Sequence, residues 1–124
     1  MARDVEQTGD RWQVICLCAA WCGVCRDFLP VLREVSNARP EIAFAWIDVE
    51  DEDESMGEVD IQTFPTVLVA QGLHARFLGP VPPFARNLVQ LLDRLQREAG
   101  AGPVPAEAGP LLQRLLPLLA RAAL

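Results

Sequence analysis

Apolar residues fall into two alternating spacings along the chain, and the order of those spacings predicts its elements. Residues 12–20, Trp-Gln-Val-Ile-Cys-Leu-Cys-Ala-Ala, form a short run rich in β-formers and read as a buried strand. From Cys25 onward the interval changes. Phe28, Leu29, Leu32 and Val35 recur at helical spacing with Arg26, Asp27, Arg33 and Glu34 between them, and Asn37 and Pro40 mark the end. Residues 42–49 are apolar on both alternating faces, as a strand covered on both sides should be. Strand, helix and strand make a βαβ unit.

Past this unit, the acidic residues 48–54 are expected on a loop or short helix leading to Met56, Val59 and Ile61. Thr63-Phe64-Pro65-Thr66 then opens a strand over Val67-Leu68-Val69-Ala70, Gln71-Gly72 reads as a hairpin turn, and Leu73 to Leu78 make a last strand ending at Gly79-Pro80. Phe84, Leu88, Leu91, Leu92 and Leu95 lie on one stripe of an amphipathic helix, with Pro82-Pro83 near its start and Gly100 at its end. The expected order is β-α-β-(α)-β-β-α. It defines a domain over 1–99, a Gly/Pro/Ala-rich linker over 100–110 and an apolar helical tail over 111–124, kinked at Pro117.

Composition narrows the function classes. A chain of 124 residues that is 51% hydrophobic can bury one core, and is too apolar to be mainly disordered. Its net charge of −6, with every basic residue an Arg and no dense basic block, does not provide the surface that nucleic-acid binding needs. No apolar stretch approaches the roughly twenty residues of a membrane span. Residues 1–8 contain no signal-like apolar region, so a reducing cytoplasmic setting is expected. There, four cysteines within ten residues, Cys16 to Cys25, suggest catalysis or metal rather than a disulfide framework.

Trp21-Cys22-Gly23-Val24-Cys25 lies where the first strand turns into the helix. A thiol at a helix N-terminus faces unpaired N–H groups and the positive end of the macrodipole, which favour the thiolate. Cys22 is therefore the expected nucleophile. Cys25, one turn in and shielded by packing, is placed to attack a mixed disulfide on Cys22 and release the product.

With these residues the chain resembles the thioredoxin family over about residues 8 to 98. Trp21 to Cys25 matches the family's WCGPC with Val24 for proline, Pro30 stands where the family's helix carries a proline, Phe64-Pro65-Thr66 matches its cis-proline segment, and Gly79 stands where a glycine follows the last strand. The resemblance implies a thioredoxin-like α/β fold, with a central mixed sheet flanked by helices. It also implies thiol-disulfide exchange with protein substrates, and through it a part in cell redox homeostasis. Pro65 is expected to be cis and to face the cysteine pair, and the Phe64 backbone to hold an extended substrate segment. Trp21, Gly23, Val24, Phe64, Pro65 and Thr66 would form the contact surface. No organic cofactor or metal is implied, and a reductase or small thiol would regenerate the dithiol.

The departures from the family pattern are as specific as the matches. The family's buried acid, six positions before the nucleophile, corresponds to Cys16, and its lysine partner to Trp46. Replacing both leaves no unpaired buried charge but removes the usual proton acceptor for Cys25. Resolution is then expected to be slow and to pass its proton to water or substrate. Cys16 and Cys18, two apart on a strand, should share a face. They read either as small core thiols or as reserve thiols that draw a disulfide inward if Cys16 lies beneath Cys25. A four-cysteine zinc site is disfavoured because such sites pair knuckles across longer loops.

Among the other candidates, His74 is expected at the surface, Trp12 and Trp46 in the core, and the acidic run as a solvated face lacking a calcium-loop pattern. The family's first strand has no clear counterpart, which would leave residues 42–49 at a sheet edge. The tail could cover that edge in its own chain or in a second copy, which would make a dimer. It could also bind a partner or be left disordered, and a membrane-interfacial role is least favoured because of two Arg residues and Pro117. A competing reading makes the chain an adaptor or assembly chaperone whose tail docks a client with little redox turnover.

Overall fold

In the computed structural model, which describes residues 11–98 and 104–124, the first apolar run forms the inner strand β1, Trp12–Cys18. It pairs in parallel with β2, Ile42–Asp48, and antiparallel with β3, Thr66–Gln71, while β4, His74–Pro80, pairs antiparallel with β3. The described sheet has the order β2-β1-β3-β4. Its register sets Cys16 opposite Trp46 and Cys18 opposite Asp48. Ala19 and Ala20, expected within the strand, instead turn away from it towards the next helix.

Period-2 alternation sends β1 side chains to two separate cores. Val14, Cys16 and Cys18 face one side and pack with helix α1, Gly23–Ala38, and helix α3, Ala85–Arg97, through Phe28, Leu32, Leu88 and Leu92. Phe84 does not extend this stripe: it is the N-cap of α3 and 60% exposed, because the helical spacing begins one residue after it. An Arg39–Asp93 ion pair ties α1 to α3. Arg76 on β4, only 7% exposed, reaches the C-terminal end of α3 by donating to the carbonyls of Leu95 and Glu98 at 3.2 Å, and its guanidinium lies 5.0 Å from the Trp12 ring centroid. The β3–β4 turn is formed by Gly72 and Leu73, one residue later than expected, with Gly72 at φ +60°.

The opposite face carries Ile15, Leu17, Ile47, Leu68 and Ala70. Two elements cover it: helix α2, Asp53–Met56, through Met56, and helix α4, Ala108–Leu115, through Ala108, Leu111, Leu112 and Leu115, all four fully buried. Residues 108–110, read from composition as the end of a linker, form the first turn of α4, with Ala108 fully buried in the core. Arg114 fixes the seam by donating to the carbonyls of Ser55 at 2.7 Å and Met56 at 3.1 Å. Pro117 lacks the N–H to continue an α-helix, and the chain passes through a 3₁₀ turn, Leu116–Leu118, into helix α5, Leu119–Ala122. Beyond α5, Ala123 bridges to Ala45, and the Leu124 N–H donates to the Phe44 carbonyl at 3.0 Å. The tail thus reaches β2, the outer strand among the described residues, within its own chain; the expectation that a first strand is missing concerns residues 1–10, which lie outside the described residues.

Candidate functional site

The site is built where β1 ends. A tight turn, in which the Cys22 N–H donates to the Ala19 carbonyl at 3.0 Å, brings the chain round into α1 with Cys22 as N-cap and Gly23, Val24 and Cys25 as its first residues. Asp48 at the end of β2 holds this turn. Its Oδ2 accepts from the Ala20 N–H at 2.8 Å, while Oδ1 accepts from Glu50 and Asp51 at 2.8 and 3.2 Å. A carboxylate accepting backbone N–H groups makes the stronger, charge-assisted kind of hydrogen bond. Arg26 closes the turn from the helix side by donating to the Ala20 carbonyl at 3.0 Å. Sequence reasoning placed Asp48 in a solvated acidic run; what singles it out is its parallel register opposite Cys18, which the sequence does not display.

The four cysteines are arranged in depth. Cys22 is partly exposed and free, whereas Cys16, Cys18 and Cys25 are fully buried. Cys25 is bonded to Cys18, across Cα atoms 5.8 Å apart, and not to Cys22. The cysteine beneath Cys25 is therefore Cys18, and not Cys16 as the reserve-thiol reading required. Cys16 and Cys18 do share one face, with their sulfurs 3.7 Å apart. Burial pushes the Cys16 thiol up from 9.0 to about 12, so it remains protonated at neutral pH and cannot accept a proton where the resemblance places an acid.

Around Cys22 the surface is apolar. Trp21 is 61% exposed and meets Phe64 edge to face at 6.0 Å between ring centroids, and Val24 is exposed on the first turn of α1. The Phe64–Pro65 peptide is cis. Pro65 is buried, and its carbonyl accepts from the Val81 N–H at 3.1 Å, while the Thr66 hydroxyl donates to the Thr63 carbonyl at 2.6 Å. Trp21 and Phe64 also border a groove of about 390 Å³ whose rim carries Glu50, Asp53 and Asp60. His74 is exposed on β4, and Trp12 and Trp46 pack partly buried against the α1/α3 core. Among the described residues no group of three His, Cys, Asp or Glu is placed to hold a metal ion, and no helix is long and apolar enough to cross a membrane.

The Thioredoxin family model matches residues 2–81. The chain is 30% identical over 77 residues to the putative thioredoxin 2 of Streptomyces coelicolor, a match covering 62% of this chain and 58% of that protein. It is 34% identical over 62 residues to a thioredoxin of Geodia cydonium, covering 50% and 58%. These matches span less than two thirds of either relative. In structure, the Chlamydomonas reinhardtii thioredoxin f2 superposes with a TM-score of 0.64 at 20% identity, over 78% of this chain and 90% of that one. The Drosophila melanogaster thioredoxin Deadhead gives 0.62 at 17%, over 76% and 90%.

Proposed function

The chain belongs to the thioredoxin family, and on that premise we propose that it is a thiol-disulfide oxidoreductase acting on protein disulfides through Cys22 and Cys25. The observation that carries this reading is the position of Cys22, a free and partly exposed thiol at the N-cap of α1 beside exposed Trp21 and Val24. The Cys22 thiolate attacks a substrate sulfur, expelling one substrate thiol and leaving a mixed disulfide. Cys25, once reduced, attacks Cys22 Sγ, the second substrate thiol departs, and the protein keeps the disulfide while the substrate gains two electrons. Trp21, Gly23, Val24, Phe64, Pro65 and Thr66 shape the contact, with the Phe64 backbone offered to an extended substrate segment. A thioredoxin-reductase-like protein or a small thiol restores the dithiol, in a reducing cytoplasmic setting.

Cys16 in place of a buried acid makes Cys25 a slow resolver, its proton passing to water or substrate. The test is to trap the intermediate. Cys25→Ser should accumulate dithiothreitol-sensitive adducts through Cys22 in cell extract, and the Cys22→Ser/Cys25→Ser protein should accumulate none. Clients that co-purify equally with the double variant would replace this reading with the adaptor one.

A further inference from the structure

Cys25 can bond one cysteine at a time, and the fold sets two beside it. Cys22 lies three residues before it, partly exposed at the N-cap of α1. Cys18 lies behind it at the end of β1, with a Cα separation of 5.8 Å, inside the range of about 4.4–6.8 Å that a disulfide spans without backbone movement. The structure joins Cys25 to Cys18, with both side chains fully buried, and leaves Cys22 free. Cys16 completes the row, its S–H directed at the Cys18 sulfur from 3.7 Å.

Resting on the reading of Cys22 and Cys25 as the exchanging dithiol, we propose that Cys18 is a third thiol of the reaction, which takes Cys25 from Cys22 and draws the disulfide into the core. In this step the Cys18 thiolate attacks Cys25 Sγ, the Cys25–Cys22 bond breaks, and Cys22 leaves with the bonding pair. The proton that Cys18 gives up is balanced by the one that Cys22 takes up. The oxidation level of the protein does not change, because its two electrons have already gone to the substrate disulfide.

Burial holds the bond once it is formed. Ionising the buried Cys18 thiol costs desolvation and slows the step in both directions, but the disulfide that results is apolar and buried, while the thiol that is freed, Cys22, is partly exposed. Exchange also requires that an attacking thiolate reach a sulfur, and neither sulfur of the inner pair is exposed. Cys22 alone is both beside Cys25 and open to solvent, so an outside thiol reduces the inner bond by way of Cys22. In that return step the Cys16 S–H steadies the departing Cys18 sulfur. While the inner bond stands, Cys22 can attack a second substrate disulfide, but Cys25 is occupied and the adduct waits for an outside thiol. The inner bond thus converts a two-thiol enzyme into a one-thiol enzyme.

The experiment follows the bond. The full chain is reduced, mixed with insulin as disulfide substrate, quenched in acid at intervals, unfolded with N-ethylmaleimide and cut with chymotrypsin. Cleavage after Leu17 and Trp21 puts Cys16, Cys18 and the Cys22/Cys25 pair on three peptides. The expected course is a looped Cys22–Cys25 peptide first, replaced by a Cys18–Cys25 cross-link with label on Cys22 and Cys16. Cys18→Ala should stop at the looped peptide. Cys22→Ser, oxidised with diamide to the inner bond, should resist dithiothreitol far longer than wild type. If Cys25→Ser forms no insulin adduct at Cys22, the underlying dithiol reading fails. If that adduct forms, yet Cys18 still carries label in the oxidised wild type, the relay alone is overturned. The wild-type course decides this even if Cys18→Ala does not fold.

Discussion

Ending the chain after residue 100 should abolish cooperative folding, because α4 covers one face of the sheet within its own chain. Leu111, Leu112 and Leu115 are each fully buried against Ile15, Leu17, Ile47 and Leu68. At about 1.5–3 kcal/mol per fully buried leucine, the three supply roughly 5–9 kcal/mol. That is comparable with the whole stability of a small domain, about 5–15 kcal/mol, and the loss also wets the four residues beneath. The graded version is Leu112→Ala, expected to cost about 2–5 kcal/mol, beside Leu124→Ala, where a side chain 40% exposed should cost about 0.5 kcal/mol. Urea unfolding followed by tryptophan emission, repeated across protein concentrations, gives both values. A Leu112→Ala cost below about 0.5 kcal/mol would refute the packing argument. A wild-type midpoint that rises with concentration would show that the cover comes from a second copy.

Two further predictions concern the site. Because burial pushes Cys16 from 9.0 to about 12, its unfolded counterpart ionises first, and above pH 9 the unfolded state binds fewer protons. Its contribution is therefore complete below about pH 9 and is lost towards pH 12, at up to about 1.4 kcal/mol per pH unit. Cys16→Ala should flatten the alkaline fall in stability between pH 9 and 11, and an unchanged slope would contradict the burial argument. Asp48→Asn weakens the acceptor that holds the Ala20–Trp21 turn, and for a half-buried group the cost should be about 1 kcal/mol. Insulin reduction should slow with it; if stability and rate both match wild type, Asp48 does not position the Cys22 turn.

Most of the fold was legible because hydrophobic period is a local property. Strand, helix and strand over residues 12–49, the hairpin and the amphipathic helix could all be read from spacing. The Cys-Gly-Val-Cys motif with Phe64-Pro65-Thr66 also pointed to the family that residues 2–81 match. Errors gathered where local composition and tertiary burial disagree. Residues 108–110 look like linker by their glycine and proline, yet Ala108 is needed inside. Phe84 fits the stripe by spacing, yet lies outside the helix that defines it.

Distances across the sheet were beyond the reach of the linear chain. Alternation along β1 sends Cys16 and Cys18 to one face and predicts them equally as neighbours of Cys25. Only the way α1 sits on that face puts Cys18, and not Cys16, within bonding distance. Likewise the acidic run reads as uniform, and only the parallel register of β1 and β2 turns Asp48 towards the backbone of the Cys22 turn. An apolar tail announces that it must be buried without saying against what. The answer came from the sheet face that α1 and α3 leave uncovered, because burial is a property of surfaces brought together from distant parts of the chain.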